Sequence, residues 1–144
     1  MNCFFDSSAL VKRYIAEQGG DTVNSLMDGG RIIVSRLAYP EVLSALNRRR
    51  ASFDADDDEI AARIQTFKDD WRGFIVFEVN DNALGQLDHV IEKHRLRGAD
   101  AVHLSTALWI KSSLASDMVF VASDRELLEA ARRERFKVIN PQDR

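Results

Sequence analysis

One cysteine, two prolines and seven glycines are all that this 144-residue chain contains of those types. A lone Cys3 excludes an intramolecular disulfide and any cysteine-rich zinc site. No glycine-rich loop stands ready to cradle a phosphate, so nucleotide-driven chemistry finds no support. No apolar run approaches the roughly 18 residues that suggest a membrane span. A basic head followed by a long apolar stretch is also missing, so no signal peptide is expected and a reducing cytoplasm is the expected setting. The net charge of −3 argues against coating nucleic acid by bulk charge, although it leaves local patches open. Repeats, low-complexity tracts and Pro/Gly/Ser-rich linkers are absent.

What is present is the makeup of one soluble globular domain spanning residues 1–144. The composition is 45% hydrophobic and 30% charged. A chain of this length buries roughly 68–70% of its unfolded surface and needs no staples. Five segments read as strands: Asn2 to Phe5, Arg31 to Ser35, Phe74 to Val79, Met118 to Ala122 and Lys137 to Ile139. Continuous apolar runs such as "FIVF" and "MVFVA" suit strands buried on both faces, as in parallel sheets. Ile60, Ile64, Phe67 and Trp71 recur at helical spacing, as do Leu84, Leu87, Val90, Ile91 and His94. Pro40 fits the first turn of a helix running through "EVLSALNRRR". The acidic run "DADDDE" from Asp54 to Glu59 reads as a helix start, where acids complement the positive end. Alternating strands and helices imply right-handed crossovers and a three-layer α/β/α sandwich around a mainly parallel five-stranded sheet.

In such sheets, sites form beyond the carboxyl ends of the strands, where the strand order reverses. Asp6 closes the first apolar strand in "NCFFDSSALVKRYI". Asp124 stands at another strand-to-helix junction, in "VFVASDRELLEAA". Glu41 follows Pro40 at the start of a helix, and Asp100 follows Gly98 at the start of another. Each has an ordinary explanation as a helix cap or first-turn acid. Taken together, two acids at strand ends and two at helix starts can reach one rim. Four carboxylates in one cleft repel each other, and a hard dication relieves that conflict. Mg²⁺ or Mn²⁺ suits carboxylate and water ligands better than Zn²⁺ does, because no His/Cys cluster accompanies them.

These segments resemble the PIN domains, and among them the VapC-type toxins of prokaryotic toxin–antitoxin pairs. "FFDSSALVKRY" looks like the opening motif, "YPEVLSAL" the second acidic motif, "RGADAVHLSTAL" the third and "FVASDRELLEAA" the fourth. The tail "FKVINPQ" is similar to the closing strand. The resemblance covers nearly the whole chain, and the four motifs in order are specific. It implies a parallel sheet with the first strand central and the fourth beside it. It implies metal-dependent endoribonuclease activity, with Asp6, Glu41, Asp100 and Asp124 at the family's acidic positions. It also implies a cognate antitoxin and a homodimer. One departure is visible: the family often has a glycine in the turn before the last strand, where this chain has Arg135 and Phe136.

If RNA is the substrate, cations must approach the acids. Arg48 shares a helix face with Glu41 and could lie along the approach, with Lys12 and Arg13 as further candidates. Ser7, Ser8 and Ser123 flank the acids and could bind a metal-bound water or phosphate, with Ser7 a further candidate RNA contact, although local capping is the ordinary role. His103, three residues after Asp100, could face the cleft. His89 and His94 read as ordinary helix residues. Trp71 and Trp109 could stack on bases, but their helical settings favour packing. Two other readings stand beside the nuclease. A PIN-like module could bind a partner without catalysis. An aspartyl-phosphate domain could use Asp6 as nucleophile. The phosphatase version of the latter wants an acid two residues on, where Ser8 stands.

Overall fold

The computed structural model describes residues 1–50, 56–114 and 117–143. The chain runs β1 (Asn2–Phe5), α1 (Ser7–Leu10), a 3₁₀ turn (Val11–Arg13), α2 (Gly20–Gly29), β2 (Arg31–Ser35) and α3 (Ala38–Arg50). It continues with α4 (Asp57–Trp71), β3 (Ile75–Phe77), α5 (Leu87–His94), α6 (Gly98–Ser113), β4 (Met118–Val121), α7 (Arg125–Arg133) and β5 (Lys137–Ile139). The five strands form one sheet in the order β3-β2-β1-β4-β5, and every pairing is parallel. The sheet is therefore fully parallel where the sequence promised only a mainly parallel one. The chain builds outward from β1 on one side, then crosses back to start β4 on the other. The strand order reverses between β1 and β4, so a crevice opens at their carboxyl ends.

Alternation along the strands makes two cores. Cys3, Phe5, Val34, Val119 and Val121 face a layer with Leu10, Val42, Leu46 and Phe67. Phe4, Ile33, Met118 and Phe120 face the other layer, with Leu104, Ile110 and Leu127. Side chains of a strand point alternately to opposite faces, so a strand covered on both faces must be apolar throughout. The first layer holds a run of touching rings, with Tyr39 stacked on Phe67 at 5.4 Å between centroids and Trp71 edge-on to both. Trp71 is thus a core residue, and Trp109 packs edge-on against Phe77.

Three expectations shift. The run at Phe74 to Val79 is only a three-residue strand, and it is not buried on both faces: Ile75 is 40% and Val79 42% exposed. β3 is the sheet's edge strand, so one side lacks a neighbour. Leu84 precedes the helix that its stripe was expected to join, within the turns leading to α5. Ala122 ends just beyond β4, although its N–H still reaches Ile139 O at 3.2 Å. The acidic run does start a helix: Asp56 caps α4 by accepting from the N–H groups of Asp58 and Glu59. Asp54 and Ala55 of that run lie outside the described residues.

The turn lacking the family's glycine has a definite structure. Phe136 N–H reaches Ala131 O and Arg135 N–H reaches Arg132 O, both at 3.0 Å, closing α7 in a Schellman arrangement. Arg135 occupies the left-handed position, with φ of 69°. A Cβ there costs roughly 1–2 kcal/mol, partly offset by the chain entropy that glycine would lose. Arg135→Gly is expected to stabilise the protein by up to about 1 kcal/mol, read as a higher urea midpoint with an unchanged slope.

Candidate metal centre

Asp6 leaves β1 in extended backbone (ψ 172°) and turns the chain into α1. Its side chain accepts from Ala9 N–H at 3.0 Å, so it is a helix cap as well as a site candidate. Ser8 Oγ lies 2.8 and 2.7 Å from the two carboxylate oxygens, and it also accepts from Ser123 N–H at 3.0 Å. That one hydroxyl ties the end of β1 to the loop after β4, across 115 positions of sequence. Asp6 N–H reaches Val121 O at 3.1 Å and reinforces the same seam. Asp124 caps α7 by accepting from Leu127 N–H at 3.0 Å. Asp100 is the third residue of α6, and Glu41 the fourth of α3, within its first turn as Pro40 suggested.

The acids feel one another. Asp6 is 2% exposed, and burial pushes its carboxyl from 3.8 up to about 6. His103, Ser8 and Ala9 N–H oppose that rise, while the negative charge of Asp100 adds to it. Asp100 is raised too, first by burial, then by the charges of Asp124 and Glu41, against the pull of His103 and Arg97. Asp100 thus feels the charges of Asp124 and Glu41, and Asp6 feels that of Asp100. Burial works to raise Glu41, but His103 outweighs it, with help from Ser7, and the net shift is downward.

His103 faces Glu41, as its spacing from Asp100 allowed. It is 1% exposed, sits edge-on to Phe4 at 6.5 Å between ring centroids, and places Nε2 2.5 Å from Glu41 Oε1. The signal was its spacing: positions 100 and 103 share a helix face. Ser8 gave no comparable signal, since its reach to Ser123 is a tertiary contact. Arg97, next to Gly98, is a nearby cation that the sequence reading did not single out. Of the three cations it did name, Arg48 lines a cleft with Ser7, Ser8 and Glu41. Lys12 is instead buried and paired with Glu17 at 3.1 Å, and Arg13 holds Asp70 at 2.9 Å and Asn24 at 3.1 Å. Those two side chains serve internal pairs and do not line the cleft beside Glu41.

Among the described residues, no three such side chains close into a metal-coordination shell; Glu41 is drawn to His103 and Asp6 to Ser8. The chemistry of the donors still fits a hard dication. The four acids offer oxygen only, and the ionised form of Asp6 is only partly compensated by His103, Ser8 and the Ala9 N–H. Among the described residues, the buried side-chain polar atoms without a hydrogen-bond partner are His103 Nδ1 and Ser123 Oγ. His103 touches Glu41, and Ser123 adjoins Asp124 and bonds Ser8, so both orphans belong to this site. Each costs roughly 1–3 kcal/mol and marks a locale kept for something other than stability.

A fully parallel sheet whose strand order reverses between β1 and β4 defines a doubly wound α/β protein, with its crevice at that switch point. The chain belongs to the PIN domain family, whose model matches residues 3–133. It is 38% identical over 106 residues to Ribonuclease VapC45 of Mycobacterium tuberculosis (strain CDC 1551 / Oshkosh), covering 73% of this chain and 74% of that one. The crystal structure of PAE2754 from Pyrobaculum aerophilum superposes with a TM-score of 0.70 at 20% identity, over 96% of this chain and 83% of that one. A toxin–antitoxin complex from Klebsiella pneumoniae contains a chain matching with a TM-score of 0.69 at 12% identity, over 97% and 98%. At such identities these two structures show the fold.

The raised carboxyl of Asp6 has a stability consequence with a definite sign. A proton binds Asp6 more tightly in the folded state (about 6) than at its ordinary value of 3.8. Its favourable contribution is thus complete below about pH 4 and is lost as pH rises through 6. The difference corresponds to about 3 kcal/mol at pH 7. In chelator, Asp6→Asn is expected to be more stable than the parent at pH 7, with the gap closing towards pH 4, as read by urea unfolding.

Proposed function

We propose that this chain is a metal-dependent endoribonuclease, the toxin of a type II toxin–antitoxin pair, hydrolysing RNA phosphodiester bonds at the four-carboxylate site. The observation that carries this reading is the buried Asp6 at the carboxyl end of β1, beside the sheet's switch point, tied through Ser8 to the loop that leads into Asp124. Its likeness to a relative named as a ribonuclease supports RNA as the substrate. Asp6, Asp100 and Asp124 are the residues that would hold Mg²⁺ or Mn²⁺, with Glu41 completing the set. When bound, such an ion acidifies water and offsets charge on the phosphate.

The chain's own groups do the rest. Glu41 orients the attacking water and accepts its proton, since its carboxyl is held ionised. His103 Nε2 holds Glu41 in place and is a positioning residue. Ser8 keeps the β1 and β4 ends at a fixed separation, which fixes Asp6 relative to Asp124. Arg48, exposed on the cleft wall, attracts the RNA backbone. A cognate antitoxin and a second copy of the chain complete the proposed assembly, and the Klebsiella toxin–antitoxin complex supports the first of these. Among the described residues no helix is long and apolar enough to cross a membrane. The cytoplasm, where RNA is made, is the proposed setting.

The purified chain is expected to cut single-stranded RNA with Mg²⁺ or Mn²⁺ and to stop in excess EDTA. Asp6→Asn and Asp100→Asn should each lower the rate by about 100-fold or more. Unchanged cleavage by either variant, or full activity in EDTA, would refute the site.

A further inference from the structure

The cleft that adjoins Glu41 has more content than a passage. It encloses about 460 Å³, within the range of sites that take a small organic group. Its lining includes apolar side chains, Val11, Leu37, Pro40 and Ala45, together with Ser44 and Arg48. Glu41 and Arg48 are seven residues apart on α3, two turns or about 10 Å along the axis.

The arginines that end α3 differ in their commitments. Arg50 is tied to Asp57 at 2.6 Å. Arg48 has no carboxylate partner among the described residues, and its guanidinium donates to Ser44 Oγ at 3.0 Å. A guanidinium beside a hydroxyl, both exposed, makes a fork suited to phosphate oxygens. The apolar part of the lining, with Ala45 lying between Glu41 and Arg48 along α3, suits the face of a base. A base within a duplex is stacked and paired and cannot enter such a groove.

We propose that this groove is a nucleotide subsite: Arg48 and Ser44 bind a phosphate displaced from the one being cut, and the apolar lining takes an unpaired base. It rests on the ribonuclease reading for its substrate class and adds a requirement, that the RNA be unpaired beside the cut. The occupant is a flexible single strand, chosen by charge complementarity and by the apolar part of the lining.

The test is a double-mutant cycle between protein and RNA. Asp6→Asn protein, which should bind without cutting, is titrated by fluorescence anisotropy with a short single-stranded RNA. The RNA carries one neutral methylphosphonate, moved position by position. Adding Arg48→Ala is expected to weaken binding of the unmodified strand about tenfold. One methylphosphonate position should cause a similar loss with Arg48 present and little further loss without it. Arg49→Ala should show no such position, and a duplex of the same sequence should bind more weakly. Losses that simply add at every position would overturn the subsite, leaving Arg48 as diffuse charge. An Arg48→Ala protein that keeps its RNA affinity but loses a protein partner would also overturn it and assign the groove to a polypeptide. If the wild-type chain fails to cut RNA while the cycle still shows coupling, the nuclease reading falls and the subsite stands.

Discussion

A carboxylate almost without solvent, at the end of a central strand and next to another acid, is the constraint on which this molecule turns. Asp6 is held by an N–H from Ala9 and by the Ser8 hydroxyl, yet burial and Asp100 still keep its carboxyl up near 6. Hydrogen bonds alone therefore do not make its charge comfortable. A cation would. The same site holds the two orphaned polar atoms found among the described residues, on His103 and Ser123. Unrelieved charge and unmet hydrogen bonds in one place identify a region shaped for a guest and not for stability.

The fold explains why this place and no other. A parallel sheet wound outward from β1 in two directions leaves a gap above the β1 and β4 ends. Four helices begin near that gap and supply first-turn or capping acids at little cost, because acids are favoured at helix starts. The ordinary explanation of Asp6 and Asp124 holds, and the functional one proposed above is compatible with it. Each caps a helix, and capping is what fixes where its carboxylate stands.

Much of this was legible in the sequence because it rests on local rules. Strands β1, β2 and β5 fall where the apolar runs placed them, and β1 lies central with β4 beside it. The missing turn glycine pointed to the position where Arg135 now bears a positive φ. What was not legible is tertiary. Edge exposure of Ile75 depends on strand order, which the local run cannot encode. Burial of Lys12 against Glu17, and the grip of Arg13 on Asp70, depend on how the 3₁₀ turn packs against its neighbours, so two of the three cations named for RNA are spent elsewhere. The contact from His103 to Glu41 joins α6 to α3 over 62 positions, and only its helical phase relative to Asp100 hinted at it.

The central claim is that these four acids share one positively charged guest. Isothermal titration of Mn²⁺ into the chelator-stripped chain tests it most directly, without RNA and without catalysis. Saturable uptake that weakens by at least about tenfold in Asp100→Asn is the expected result. No uptake, or uptake indifferent to that substitution, would contradict the account.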